Sequence, residues 1–238
     1  DSHSQIAEEY RSIKRPLVTN ALGDRKRDIN NANLILVTSS IPGEGKTFTS
    51  INLAFSIAAE MDNSGEIYAF DVSLRRMKDL SARRRRANAI IIQANVMSDE
   101  KSLDEAVDRL KGQMDRVFVD VPCSGSGTWR RQPDQKWTFS EEKLEDLVKL
   151  QKNILRKAAR LVAPGGRLVY ATCSIFDAEN TNQITAFLDK NSDFSLIPVS
   201  QIWGDAGLEG QRSEEMLKLS PDEFGTDGFF TAVLCRTA

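Results

Sequence analysis

Apolar runs and helical repeats alternate along most of the chain. The runs LILVT (34–38), EIYAFD (66–71), AIIIQAN (89–95), DRVFVDV (115–121) and GRLVYATC (166–173) are short, apolar and mostly rich in β-branched residues. That is the pattern of strands buried on both faces. Two more strands are predicted near 194–198 and 229–235. Between the runs, apolar residues recur at helical spacing, which predicts helices over 46–60, 74–87, 101–111, 140–163 and 177–190. Strands that alternate with helices build a mainly parallel sheet covered on both faces, a three-layer, doubly wound α/β/α fold of Rossmann-like type. Ligands of such sheets bind beyond the carboxyl ends of the strands, so the ends of the first, second and fourth strands are where chemistry is expected.

Ahead of the sheet, Ile6, Tyr10, Ile13 and Leu17 lie at helical spacing behind a Ser4 cap, with Pro16 bending or ending that helix. Residues 23–33 read as a polar loop. Residues 201–224 are polar and turn-rich and read as a long mobile loop. The run ARRRRAN (82–88) follows a helix, where positive charge suits the C-terminal dipole, and reads as a solvated helix end.

At 238 residues and 40% hydrophobic content the chain can bury a sizeable core as one α/β domain. With 32 basic and 34 acidic residues, whole-chain charge gives no pull towards nucleic acid. There is no signal peptide and no apolar run of membrane-spanning length. Three widely spaced cysteines, Cys123, Cys173 and Cys235, suggest a reducing, cytoplasmic setting, and a monomer is expected. His3 is the only histidine, which argues against a histidine-based triad or a His-rich zinc site. Cys235, in the last strand, reads as a buried hydrophobe.

The stretch SSIPGEGKTF (39–48), between the first strand and a helix, is close to the phosphate-binding pattern G-x-x-x-x-G-K-[ST], with Ser40 in the place of the first glycine. Gly43 and Gly45 allow backbone N–H groups to converge on an anion at a helix N-terminus, and Lys46 adds charge. Thr47 is the candidate Mg²⁺ ligand. The candidate binding set is Pro42, Gly43, Glu44, Gly45, Lys46, Thr47 and Phe48. With IAEEYRSIKRPL before it and SINLAFSIAAEMD after it, the region from 5 to 62 resembles bacterial tyrosine kinases that regulate exopolysaccharide export. The resemblance implies ATP or phosphate as ligand, with Asp71 and Asp120 as carboxylates near a metal.

From residue 63 onwards a different family comes into view. VDVPCSGSGTWRRQPDQKW (119–137), LQKNILRKAARLVAPGGRLVYATCSIFDAEN (150–180) and GTDGFF (225–230) carry a Pro-Cys pair and a Thr-Cys pair at the ends of successive strands. In this the chain resembles the Sun/Nop2-type RNA cytosine-5 methyltransferases. The resemblance implies S-adenosylmethionine as cofactor, Cys173 as nucleophile, Cys123 as its partner in elimination, Asp120 on the target base and Asp71 on the cofactor ribose. It also implies a sheet order of 3-2-1-4-5-7-6. Arg130, Arg131, Lys136, Trp129 and Trp137 are the local candidates for RNA contact, or else a solvated loop with two packing tryptophans.

A change of resemblance inside one βαβ unit, near Asp62 to Gly65, points to an engineered chimera of a kinase-like segment (1–62) and a methyltransferase-like segment (63–238). The leading expectation is therefore a module that holds phosphate or a nucleotide with little or no turnover. The alternative is a weakened RNA cytosine-5 methyltransferase.

Overall fold

The computed structural model describes the backbone of residues 34–39, isolated residues 54, 55, 58 and 61, and residues 64–205, 214–224 and 226–237. The expected N-terminal helix, the loop 23–33, the binding set Pro42 to Phe48 and most of the helix 46–60 lie outside the described residues.

In chain order the described elements are β1 (Leu34–Ser39), β2 (Glu66–Asp71), α1 (Leu74–Arg86), β3 (Ile92–Val96), α2 (Glu100–Arg109) and β4 (Met114–Asp120). There follow α3 (Pro133–Thr138), α4 (Glu141–Ala159), β5 (Val162–Thr172), α5 (Thr181–Leu188), β6 (Phe194–Ile197), α6 (Val199–Asp205), β7 (Leu217–Leu219), α7 (Pro221–Phe224) and β8 (Phe229–Arg236). The sheet order is β3-β2-β1-β4-β5-β8-β6, with β7 added on β8. This is the expected order once the short β7 is counted. The strands from β3 to β5 are parallel, and β8 runs antiparallel to β5 and β6.

Strand alternation sorts the core into two layers. Along β2, Tyr68 and Phe70 enter one cluster with Val117, Val119, Leu168, Tyr170 and Phe230. Ile67 and Ala69 enter the other with Ala54, Ala58, Met77, Leu80 and Ile92. A residue's side chain flips face at every step along a strand, so both faces must be apolar, as the sequence runs are. Helix starts carry their own signals. Ser73 caps α1, Asp99 and Ser102 form a capping box on α2, and Ser140 caps α4 ahead of Glu141 and Glu142. Arg83 to Arg86 fill the last turn of α1, as expected for a helix end.

Several boundaries differ from the sequence reading. The helix expected to run to 163 ends at Ala159, because β5 starts at Val162 and passes through the Pro-Gly-Gly turn, with a register shift opposite Met114 and Arg116. The helix 177–190 is broken into a 3-10 turn at Asp177–Glu179 and α5. Residues 201–224 are not one loop. Their described part contains the end of α6, β7 and α7, with β7 held by the pairing Leu217↔Thr231 to Leu219↔Phe229. Three residues of strand are too few to show a period against polar surroundings. Cys235 is only partly buried, a correction to its reading as a core residue.

Lys157 is a buried cation on the inner side of α4, with its Nζ 2.7 Å from Asp104 and 3.1 Å from Glu100 on α2. Burial pulls its pKa down, but the bonds and charges of Asp104 and Glu100 outweigh that, and the net shift is upward. A raised lysine stabilises the fold below its unfolded pKa, about 10.4, and loses that contribution as pH rises through the folded value. Urea unfolding from pH 9 to 12 is therefore expected to show wild type losing stability relative to Lys157→Met across the top of that range. Parallel curves for the two proteins would contradict the assignment.

Candidate active site

Two chain crossings meet at the carboxyl edge of the sheet. β4 and β5 are parallel neighbours with Asp120 paired to Ala171. Cys123 lies three residues beyond Asp120 and Cys173 two beyond Ala171, so the Pro-Cys and Thr-Cys pairs leave the sheet side by side. Their sulfurs are 3.4 Å apart, unbonded, and both residues are buried. Asp120 is buried beside them at the strand end. Cys173 and Cys123, expected from motif alone, are thus in contact.

The loop that carries Cys123 is held from several sides. Gly125 adopts the left-handed conformation (φ 67°), which glycine takes without strain, and starts a 3-10 turn at Ser126–Thr128. Gly127 N–H donates to the Cys173 carbonyl at 3.0 Å, and Gly228 N–H donates to the Gly127 carbonyl at 2.9 Å. The turn, the Cys173 loop and the residue just before β8 therefore form one backbone stack. Asp227, next to Gly228, draws in Arg131 (2.5 Å) and Arg130 (3.7 Å).

A polar network lies behind the cysteines. Glu179 is wholly buried and accepts from Ser124 N–H at 2.8 Å, Ser124 Oγ at 2.5 Å and Gln151 Nε2 at 2.8 Å. Its main-chain carbonyl accepts from Tyr170 Oη at 2.7 Å. Ser124, Ser126 and Ser174 form a triangle of hydroxyls 3.0–3.2 Å apart. Burial, with the nearby charges of Cys123 and Glu179, pushes the Tyr170 phenol well above its usual range, so it acts as a fixed donor. Sequence reasoning missed Glu179, Gln151 and the three serines. One signal was available: Gln151 is a polar residue on the apolar stripe of α4, in line with Leu144, Leu147, Val148 and Leu155.

Asp71, at the end of β2, is buried and accepts from Ser73 N–H at 2.7 Å and from Arg76 at 3.0 Å. A carboxylate has about four acceptor positions, so this leaves capacity for hydroxyl donors. Asp71, Asp120 and Pro122 line one pocket of about 120 Å³ with Phe70, Met97 and Val119, which brings the two predicted carboxylates together. An apolar pocket with an acid at its rim suits an adenosine group: the ring needs apolar walls and the ribose needs acceptors. Among the described residues, no group of three or more His, Cys, Asp or Glu side chains could hold a metal ion. Thr47, the other expected metal ligand, lies outside the described residues.

The aromatic candidates separate. Trp129 packs edge-on to Phe139 and Phe176, both at 5.7 Å, and is a packing residue. Trp137 is 82% exposed beside Lys136.

The pattern that defines the 16S rRNA methyltransferase RsmB/F family matches residues 28–235. The chain belongs to that family. A probable ribosomal RNA small subunit methyltransferase B of Bacillus subtilis is 35% identical over 182 residues, which cover 73% of this chain and 38% of the relative. The ribosomal RNA small subunit methyltransferase B of Pasteurella multocida is 33% identical over 208 residues, covering 86% and 42%. The chain thus spans less than half the length of these relatives. Among solved structures, PH0851 shares 31% identity at a TM-score of 0.69 over 92% of this chain and 45% of its own. A methyltransferase homolog protein from Pyrococcus horikoshii shares 25% at 0.60, over 87% and 62%.

These findings overturn the chimera reading. The family match, over residues 28–235, spans both the glycine-rich stretch and the supposed seam at Asp62 to Gly65. β1, before the seam, pairs in unbroken register with β2, after it, from Leu34↔Glu66 to Ser39↔Asp71. The kinase resemblance gains no support, and neither do ATP and Mg²⁺. No described helix is long and apolar enough to cross a membrane.

The backbone stack gives a direct test. A Cβ on Gly127 would lie 2.2 Å from the Gly228 carbonyl oxygen and 2.7 Å from its Cα, contacts with backbone that cannot swing aside. Gly127→Ala is expected to lower stability by about 2 kcal/mol or more in urea unfolding. An unchanged midpoint would show that the stack yields freely.

Proposed function

We propose that this chain is the catalytic part of an S-adenosylmethionine-dependent RNA cytosine-5 methyltransferase acting on small-subunit ribosomal RNA. The observation that carries the reading is the pair of buried thiols 3.4 Å apart at the ends of adjacent parallel strands, beside Asp120. Family membership and the pocket between Asp71 and Asp120 support it.

In this reading the pocket beside Asp71 and Asp120 would hold S-adenosylmethionine, which would supply the methyl group that ends on C5 of the target base. Cys173, as thiolate, adds to C6 of cytosine, so that a sulfur–carbon bond forms and C5 becomes nucleophilic. Asp120 hydrogen-bonds the base and favours that addition. After C5 has gained its methyl group it still carries a proton, and Cys123 assists its removal. Loss of that proton re-forms the C5–C6 double bond and expels the Cys173 thiolate. Asp71 accepts from the ribose hydroxyls, while Pro122 and Phe70 exclude water from the pocket wall. Arg130, Lys136 and Trp137, all exposed, supply backbone and stacking contacts to RNA without sequence choice.

The experiment is methyl transfer from labelled S-adenosylmethionine to small-subunit ribosomal RNA. Cys173→Ala should lower transfer at least 1,000-fold, about 4 kcal/mol of barrier. Cys123→Ala should still add to the base but stall, and accumulate a protein–RNA adduct that survives denaturing gels. Asp71→Asn should raise the KM for S-adenosylmethionine about tenfold with a smaller effect on kcat. Full transfer by Cys173→Ala would sink the assignment.

A further inference from the structure

We propose that Glu179 is a positioning residue whose carboxylate sets the separation of the Cys123 and Cys173 sulfurs. The proposal rests on the reading of those cysteines as the reacting pair, and its test is arranged to stand apart from that reading. Glu179 is 0% exposed, and the partners of its carboxylate are neutral: Ser124 N–H, Ser124 Oγ and Gln151 Nε2. Burying a charge among neutral donors is costly and persists only where the donors are held in place. Here each donor is tied to a cysteine loop. Ser124 follows Cys123 directly, and Gln151 also donates to the carbonyl of Pro122, the residue before it, at 2.8 Å. The β5 side is reached twice: Tyr170 Oη donates to the Glu179 carbonyl, and the Ser124 hydroxyl lies 3.2 Å from that of Ser174, next to Cys173.

Glu179 thus bridges the two thiol-bearing loops: its carboxylate holds Ser124, next to Cys123, and the Ser124 hydroxyl in turn meets that of Ser174, next to Cys173. Such a bridge does more than stabilise. It fixes the Cys123 loop relative to the end of β5, so that the sulfurs stay in contact but unbonded at 3.4 Å. For a pair that must act on the same base in turn, separation and direction are worth orders of magnitude in rate.

The separation can be read without RNA. The purified chain is equilibrated in glutathione buffers of graded potential, where two thiols and oxidised glutathione give the Cys123–Cys173 disulfide and two reduced glutathiones. The disulfide fraction is then measured by alkylation and peptide mass. The stability of that disulfide reports the effective concentration of one sulfur at the other. Glu179→Ala should lower its formation constant at least tenfold, a rise in midpoint potential of about 30 mV. Glu179→Gln keeps the volume and one acceptor oxygen, carries the test should the alanine variant fail to fold, and should shift the constant about threefold in the same direction. In methyl transfer, Glu179→Gln should lower kcat about tenfold with KM for S-adenosylmethionine unchanged within twofold. A Glu179→Gln constant within twofold of wild type, with cooperative unfolding retained, overturns the proposal. A Cys173→Ala variant that methylates normally overturns the catalytic reading instead, and the glutathione equilibrium still decides what Glu179 does.

Discussion

The parallel pairing of β4 with β5 is the constraint on which the site depends. It sets Asp120 level with Ala171. Everything chemical then follows within three residues, because two strands that end at one height deliver their next residues to one place. An antiparallel neighbour would have sent the second cysteine to the opposite edge of the sheet. The ladder also explains why these strands are apolar through their centres. Val117, Val119, Leu168 and Tyr170 must all be buried for β4 and β5 to occupy the middle of the sheet, and they are.

Delivery to one place is not alignment. Past the last ladder bond the chain has no strand partner, and two loops with small residues, CSGSG and CSI, would wander without other restraints. The backbone stack of Cys173, Gly127 and Gly228 supplies one restraint and the Glu179 network the other. They act from different sides. The stack is neutral and depends on the absence of side chains, since a Cβ on either glycine meets backbone below 3 Å. The network depends on charge: the carboxylate is satisfied by Ser124 in the loop after β4 and Gln151 of α4, while Tyr170 of β5 holds the Glu179 main-chain carbonyl. Glu179 is presented by a 3-10 turn, not by the helix expected over 177–190, and that break frees it from the helix face to reach back under Ser124.

Much of this was legible in the sequence. The doubly wound sheet and the strand-end edge where Asp71 and Asp120 lie follow from the apolar runs, while the strand order and the pairing of roles for Cys123 and Cys173 come from the resemblance to Sun/Nop2-type methyltransferases. What was not legible has a common cause. Glu179, Gln151 and Ser174 act through contacts 28 to 55 residues apart in sequence, and no local period records such contacts. Gln151 came nearest to visibility, as a polar residue on an apolar stripe. Strand β7 and the boundaries of α4 and β5 failed for a different reason: short strands and Pro-Gly-Gly turns carry too few residues for a pattern to show.

The error about origin has a physical source as well. Phosphate-binding loops and cofactor-binding loops of doubly wound sheets answer one requirement, the close approach of backbone to a ligand at the end of the first strand, and both answer it with glycine. β1 ends with Ser39 level with Asp71, at the edge where either ligand would be met. A glycine-rich stretch there reports the architecture more than the ligand. The thiol pair is a stronger witness, because two buried cysteines meet only when two strand ends and the loops beyond them coincide. Where a short loop motif and a long-range constellation disagree, the constellation carries more weight, since more independent placements must coincide to produce it.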